Sequence, residues 1–165
     1  MISLFQNTIR FLLLVLIQVL VLSNVQFLGF INPYIYILFI LSLPVKLPRW
    51  LSLLLAFGLG LVIDTFSNTM GMHAFASVLI MFIRDFVIKL FTSIEEGSNP
   101  EPSFYTFGVG AYIKYVVVLV IIHHASLFLL EAFLITNFWI LSLKILLSSI
   151  ITILLILGIQ SIKQK

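Results

Sequence analysis

Long apolar runs, separated by short polar breaks, dominate this chain. A bilayer-spanning helix needs about 20 mainly apolar residues, and the stretch from Phe11 to Val45 contains no charged residue at all. The runs are continuously apolar rather than alternating, which argues against a β-barrel. The pattern therefore predicts an all-α protein of six membrane-spanning helices. Their approximate bounds are 8–23, 33–47, 50–64, 72–91, 105–134 and 138–160.

The breaks between the runs carry residues typical of helix ends. Asn32 and Pro33 suit a helix start, with Asn as N-cap and Pro at the first helical position. Prolines and basic residues end the same helix within Pro44–Arg49. Ser93–Ser103 is the one hydrophilic loop, and it is a candidate docking loop for a cytoplasmic partner. The first apolar run lacks a small-residue cleavage site, so we expect a retained anchor.

Composition narrows the class of protein. Of 165 residues, 62% are hydrophobic and 9% are charged, with a mean hydropathy of +1.25. Soluble domains are about a quarter charged, so a soluble enzyme is excluded, and disorder is excluded too. The absence of cysteine excludes disulfides, thiolate zinc ligands and a thiol nucleophile. The net charge of +3 comes from scattered basic residues, so no nucleic-acid partner is expected.

The basic residues also predict the orientation. With the N-terminus inside, eight of nine fall on the cytoplasmic side and only Lys144 on the other. We therefore expect a multi-pass protein with both termini in the cytoplasm. The eight are Arg10, Lys46, Arg49, Arg84, Lys89, Lys114, Lys163 and Lys165.

One group of polar residues lies where the third and fourth predicted helices meet. Asp64, Asn68 and His73 could form a polar site there, with Gly71 in the turn and Ser77 one helical turn after His73. The structural alternative is a tight turn in which Asp64 caps a helix and His73 hydrogen-bonds a carbonyl. Spacing alone favours that alternative, because ionisable groups near helix ends cost little.

A second group lies in the fifth predicted helix. His123 and His124 point about 100° apart and cannot both face one partner. His124 and Glu131 share a face but are about 10 Å apart along the axis, which makes a metal site from this helix alone improbable. A bundle-core site that adds His73 stays open. Glu131 has a candidate partner in Lys144, and this pair would orient the last two helices.

Two further features concern packing and lipid. Small residues at Ala56, Gly58 and Gly60 allow a neighbouring helix to approach closely. At the end of the fourth helix, Arg84 and Lys89 are at headgroup depth, where they could bind anionic lipid, although such a cluster is more often a solvated helix end.

Two blocks of residues together resemble the MreD family of rod shape-determining proteins. The first block runs from Gly58 to Arg84, and the second begins at His123-His124. Chain length, six helices and short loops also resemble that family. In order, the matching residues are Gly60, Asp64, Asn68, Gly71, His73 and Arg84, then His123, His124, Leu127, Leu130 and Glu131.

The resemblance implies a non-enzymatic subunit of the cell-wall elongation complex in the bacterial cytoplasmic (inner) membrane. Its implied partner is the bitopic protein MreC and, through it, MreB, RodA and a penicillin-binding transpeptidase. The implied fold is that of the substrate-binding subunits of energy-coupling-factor transporters. No catalytic, cofactor-binding or metal-binding residue is implied. Asp64, Asn68, Gly71 and His73 carry over as family-typical positions of a partner or lipid site.

Under that hypothesis, a single-span partner packs on the small residues of the third and fourth helices. Bulky substitutions such as Gly60→Leu or Ser77→Leu would then break the association while insertion continues.

One alternative is a vitamin-capturing transporter subunit. Those subunits carry an Ala-x-x-x-Ala motif in the first helix, whereas the first alanine here is Ala56. Another is an intramembrane enzyme that uses His123 or His124 beside Glu131 or Asp64.

Overall fold

Helices account for nearly all of the regular structure. The computed structural model describes residues 4–24, 31–93, 98–132 and 137–162, and within them it contains seven α-helices and no strand. The prediction of an all-helical protein is confirmed. The helices are α1 (Leu4–Leu20), α2 (Ile37–Leu41), α3 (Arg49–Ser67), α4 (Met72–Phe91), α5 (Phe104–Phe107), α6 (Val109–Glu131) and α7 (Phe138–Ile162), and a 3-10 turn at Leu22–Asn24 follows α1.

Three of these helices, α3, α6 and α7, are long and apolar enough to cross a membrane. Helix α4 has a similar length of 20 residues but carries Arg84, Asp85 and Lys89 near its end. The chain is accordingly a helical membrane protein with three candidate spans in its described part.

Local sequence explains where the helices begin and end. Helix α3 starts after Pro48, and it ends at Asn68, whose φ of 55° is left-handed. Gly108, with φ of 77°, separates α5 from α6, so the single helix predicted over 105–134 is in fact two. The Asn137 side chain accepts hydrogen bonds from the amides of Trp139 and Ile140 at 3.1 and 3.4 Å and so caps α7.

The second predicted helix is largely absent. Of the range 33–47, only Ile37–Leu41 is α-helical, and five helical residues are only about 7.5 Å long. Prolines at 33, 44 and 48 bracket the segment and restrict helix formation on both sides. The prediction of a helix starting at Asn32 is therefore wrong. We call residues 31–46 the central segment, because Ile35–Leu43 are all buried.

Side chains from other helices satisfy the non-helical backbone of the central segment. Gln18 of α1 accepts from the amide of Ile35 at 2.8 Å and donates to the carbonyl of Pro33 at 3.2 Å. Irregular backbone at membrane depth is tolerated where it is buried in protein and hydrogen-bonded. Further bonds run from Asn32 N to Ser148 Oγ, Tyr34 N to Thr152 Oγ1, Tyr115 Oη to Leu41 O, Arg10 Nη1 to Ser42 O, and Arg84 Nη2 to Leu43 O.

The helices around the central segment pack in chain order, α3 on α4, α4 on α6 and α6 on α7, while α1 contacts α3. Gly60 lies directly against the backbone of Ala74. Ala56 is fully buried within the chain, whereas a Cβ added at Gly58 would meet no atom within 4 Å. Of the three small residues predicted to pack, Ala56 and Gly60 are buried inside the chain, and Gly58 is not in close contact.

Some predicted features lie outside the described residues. They include Glu95 and Glu96 of the hydrophilic loop, and Lys163 and Lys165 at the C-terminus. In the described part of that loop, Glu101 forms an ion pair of 3.1 Å with Arg10.

Candidate functional site

A cavity of about 330 Å³ lies where α1, α3 and α6 end and α4 begins. Its walls come from five parts of the chain, so its shape depends on the whole bundle. Several polar side chains face it, among them one carboxylate and one imidazole. The lining residues are Gln18, Val19, Leu22, Ser23, Asn32, Pro33, Tyr34, Phe66, Ser67, Thr69, Met72, His73, Leu127 and Glu131.

Asp64 caps helix α4 beside this cavity. Its Oδ1 accepts from the amide of His73 at 3.0 Å, and its Oδ2 accepts from the amide of Ala74 at 2.9 Å. Thr69 donates its hydroxyl to the same carboxylate. Negative charge at a helix N-terminus is stabilising because the first amides lack intrahelical partners. The alternative in which Asp64 caps a helix at a tight turn is therefore confirmed.

Two left-handed residues form the turn that places this cap. Asn68 ends α3 with φ of 55° and ψ of 42°, and Gly71 precedes α4 with φ of 79°. Asn and Gly are the residue types that adopt this conformation most readily. Both residues therefore shape the turn between α3 and α4 through their backbone conformation, as predicted.

Tyr36 joins two histidines from different helices. Its hydroxyl lies 2.8 Å from His73 Nδ1 on α4 and 2.8 Å from His123 Nε2 on α6. A phenol has one proton, so it donates to one ring and accepts an N–H from the other. His73 thus bonds a hydroxyl rather than a carbonyl, and the central segment is tied to α4 and α6 at this point.

His124 faces in a different direction from His123, as the helix geometry predicted. Its Nδ1 lies 2.9 Å from the carbonyl of Val120, which can only accept, so this nitrogen carries the proton. In the neutral ring, Nε2 then accepts from the hydroxyl of Thr152 at 3.2 Å. Thr152 also accepts from the amide of Tyr34, so α6, α7 and the central segment share one chain of hydrogen bonds.

The ring of Tyr34 lies among all three histidines. Its centroid is 5.1 Å from that of His73, 6.1 Å from that of His123 and 5.4 Å from that of His124. Edge-to-face and tilted contacts of this kind are favourable for aromatic rings. Tyr34 therefore lines the cavity and also contacts His123 and His124, which are fully buried and are not among the described lining residues.

The predicted pair between Glu131 and Lys144 is confirmed. Lys144 Nζ lies 2.8 Å from Glu131 Oε2, and it also sits 4.4 Å from the ring centroid of Phe128. The pair connects the end of α6 to the first turns of α7, across residues 133–136, which lie outside the described ranges.

The structure brings together Asp64, His73 and His123, three of the predicted site residues, through α4 and Tyr36. Ser77 is fully buried with an unpartnered hydroxyl, and the Nδ1 of His123 is unpartnered as well. Within the described ranges, no cluster of three or more histidine, aspartate or glutamate residues could hold a metal ion. The described residues therefore do not support a metal site in the bundle core that includes His73.

Sequence reasoning missed the neutral residues of the site, chiefly Tyr34, Tyr36 and Thr152. It concentrated on ionisable groups, whereas a tyrosine or threonine in an apolar run also needs a partner for its hydroxyl. Arg84 was placed at headgroup depth, but only 1% of it is exposed. It donates to Tyr115 Oη at 2.9 Å and to the carbonyl of Leu43, so the prediction that it binds lipid is wrong.

Comparison of the chain with protein-family models, curated proteins and solved structures gave no match.

Proposed function

We propose that the protein is a non-enzymatic scaffold subunit of the bacterial elongation complex, in the inner membrane. It binds an MreC-like bitopic protein and, through it, acts with MreB, RodA and a penicillin-binding transpeptidase. The proposal begins from the two blocks of residues that resemble the MreD family. One observation carries it further: side chains from both blocks hold the bundle together.

The polar atoms of these side chains form hydrogen bonds inside the bundle. Both carboxylate oxygens of Asp64 accept hydrogen bonds from its own bundle, and His73 and His123 share the Tyr36 hydroxyl. Asp64 is 4% exposed and His123 is fully buried. Buried side chains whose polar atoms bond to their own bundle support a role in positioning helices rather than in catalysis.

We also propose that the chain crosses the membrane six times, with the central segment as the second crossing. Early in α1, Arg10 contacts Ser42, and late in α1, Gln18 contacts Pro33. Helix α1 and the central segment therefore run in opposite directions. The remaining crossings would be α1, α3, α4, α6 and α7, with both termini cytoplasmic.

Single cysteines test the second crossing cleanly, since the chain has none of its own. Ser23 and Trp50 are exposed and lie on either side of the central segment. We expect a membrane-impermeant maleimide to label Ser23→Cys in intact cells, and Trp50→Cys only after permeabilisation. Labelling of both from one side would show that residues 31–46 do not cross.

Two of the small residues on α3 and α4 are not available as a partner surface. Gly60 packs against Ala74, and Ser77 is fully buried, so neither is accessible to a second protein. Gly60→Leu and Ser77→Leu are now expected to damage the fold itself. A bitopic partner must therefore use the outward-facing sides of the helices.

The experiment that tests the scaffold function is affinity purification of the tagged chain from native membranes in a mild detergent. We expect a bitopic coiled-coil protein and wall-synthesis enzymes to co-purify. Depletion of the chain should round the cells. Recovery of an ATPase pair with a coupling membrane subunit would instead identify a transporter.

The cavity favours a second candidate, a subunit that captures a small molecule such as a vitamin. Its volume of about 330 Å³ falls in the range of ligand sites, and polar and apolar side chains both line it. Binding of a vitamin by the purified chain, without the elongation proteins, would support this candidate over the scaffold.

A further inference from the structure

The cavity has one carboxylate and no lysine or arginine among its described lining side chains. Glu131 supplies that carboxylate from the last turn of α6. The other polar lining groups are hydroxyls, amides and the imidazole of His73. A site with this lining suits a hydrogen-bond donor that carries positive charge better than it suits an anion.

The geometry of Glu131 leaves it able to take a second partner. Lys144 occupies only Oε2, at 2.8 Å, and the Glu131 side chain is 44% exposed. Glu131 lines the same cavity as Tyr34 and His73, so its carboxylate and both of these rings face one space. The negative potential of Glu131 therefore extends into the cavity, although Lys144 partly offsets it.

The rest of the wall limits what kind of cation fits. Val19, Leu22, Phe66, Met72 and Leu127 are apolar lining residues that would pack against carbon. A cavity of about 330 Å³ is at the small end of the range for ligand sites. It accommodates a headgroup or a small amine, with apolar surface beside the polar groups.

We propose that this cavity binds a primary ammonium group, with Glu131 as its acceptor. The group would come either from an aminoethyl lipid headgroup or from a small soluble amine. The inference goes beyond the scaffold function and stands independently of it, because it predicts a ligand and not a partner protein.

The test uses the full chain, purified and stripped of lipid in detergent. In one arm, unfolding temperature is measured against ethanolamine and against choline, whose quaternary nitrogen has no N–H to donate. In the other arm, the chain is placed in nanodiscs of phosphatidylcholine with or without phosphatidylethanolamine, and the lipids retained on extraction are quantified by mass spectrometry. The first arm detects a soluble amine and the second a lipid headgroup.

Two variants distinguish the contribution of the Glu131 carboxylate from that of its ion pair with Lys144. Glu131→Gln removes both, whereas Lys144→Gln removes the pair and leaves the carboxylate. Loss of one charged hydrogen bond weakens binding by about tenfold or more. We therefore expect Glu131→Gln to bind the amine at least that much more weakly and Lys144→Gln to retain binding.

Stabilisation by ethanolamine, or selective retention of phosphatidylethanolamine, supports the proposal and identifies the source of the ammonium. Two results would overturn it: no preference for a primary amine in either arm, or equal binding by Glu131→Gln and wild type. The comparison of ethanolamine with choline needs no variant, so it tests the preference for a primary ammonium group even where Glu131→Gln does not fold. Failure of the scaffold function shows separately, as the absence of co-purifying elongation proteins.

Discussion

Gly60 and Ala74 bring the backbones of α3 and α4 into direct contact. A Cβ on residue 60 would overlap the backbone of Ala74 and lie 2.7 Å from the carbonyl oxygen of His73. The contact sets the distance between the two helices at the level of the Asp64 cap, so even one added methyl group must displace a backbone.

Gly60→Ala is therefore expected to destabilise the protein by about 1–3 kcal/mol, the usual range for an overfilled core. Gly58→Ala is the matched control on the same helix, since a Cβ there meets nothing within 4 Å. It should be neutral or slightly stabilising, because alanine favours helix more than glycine does. Unfolding in detergent measures both. Equal stability of the two variants would contradict the close contact.

The cap on α4 leads to a second prediction. Asp64→Ala leaves the amides of His73 and Ala74 without their acceptor, and loss of an N-cap costs about 0.5–2 kcal/mol. Asp64→Asn keeps one carbonyl oxygen and should lose less. Thr69→Val removes one donor to the carboxylate but leaves the cap, so thermal unfolding should rank it as the mildest. A ranking with Thr69→Val as the most damaging would argue against the cap.

Tyr36→Phe tests the bridge between the two histidines. It leaves His73 Nδ1 and His123 Nε2 unpaired in the core, which costs about 1–3 kcal/mol. Tyr112→Phe is the matched control, because Tyr112 is also fully buried but its hydroxyl has no partner. We expect denaturant unfolding to show a clear loss for Tyr36→Phe and little change for Tyr112→Phe. Comparable losses would mean that the bridge contributes nothing specific.

Arg84 is expected to hold the central segment in place. Arg84→Met removes the donor to the Leu43 carbonyl and to Tyr115, and lysine cannot reproduce the forked geometry of arginine. Ser42→Cys, at a site 6% exposed, gives a unique reporter in a chain without cysteine. Maleimide should label it faster when combined with Arg84→Met or Arg84→Lys, and at the original rate with Lys89→Met, which alters an exposed residue of the same helix. An unchanged rate in all three would rule out the holding role.

Sequence reasoning predicted the elements whose cause is local. The start and end of α4 match the predicted range 72–91, because Gly71 precedes an apolar run, charged only in its last two turns, that ends before Ser93. The Glu131–Lys144 pair was also predictable, since a short connection brings the end of one helix near the start of the next. The candidate site was predicted in part, through Asp64, His73 and His123.

What could not be predicted depends on contacts between distant residues. The apolar run at 33–47 looks helical by composition, but its backbone bonds to side chains from other helices, such as Gln18 and Thr152. Arg84 looked like a lipid-facing residue because nothing local shows that Leu43 and Tyr115 meet it in the interior. Hydrophobic periodicity reports which residues avoid water, and it does not report which backbone groups lack a helical partner.

The hydrogen bonds of the central segment also set an order of events during synthesis. The amides of Asn32 and Tyr34 bond to Ser148 and Thr152, which the ribosome adds more than a hundred residues later. Until α7 has entered the bilayer, those amides have no such acceptor and must be satisfied elsewhere, by water or by transient helix. The amides of Asn32 and Tyr34 therefore reach their final hydrogen bonds only after translation has passed residue 152, whereas the bonds of the same segment to Gln18, Arg84 and Tyr115 need no part of α7.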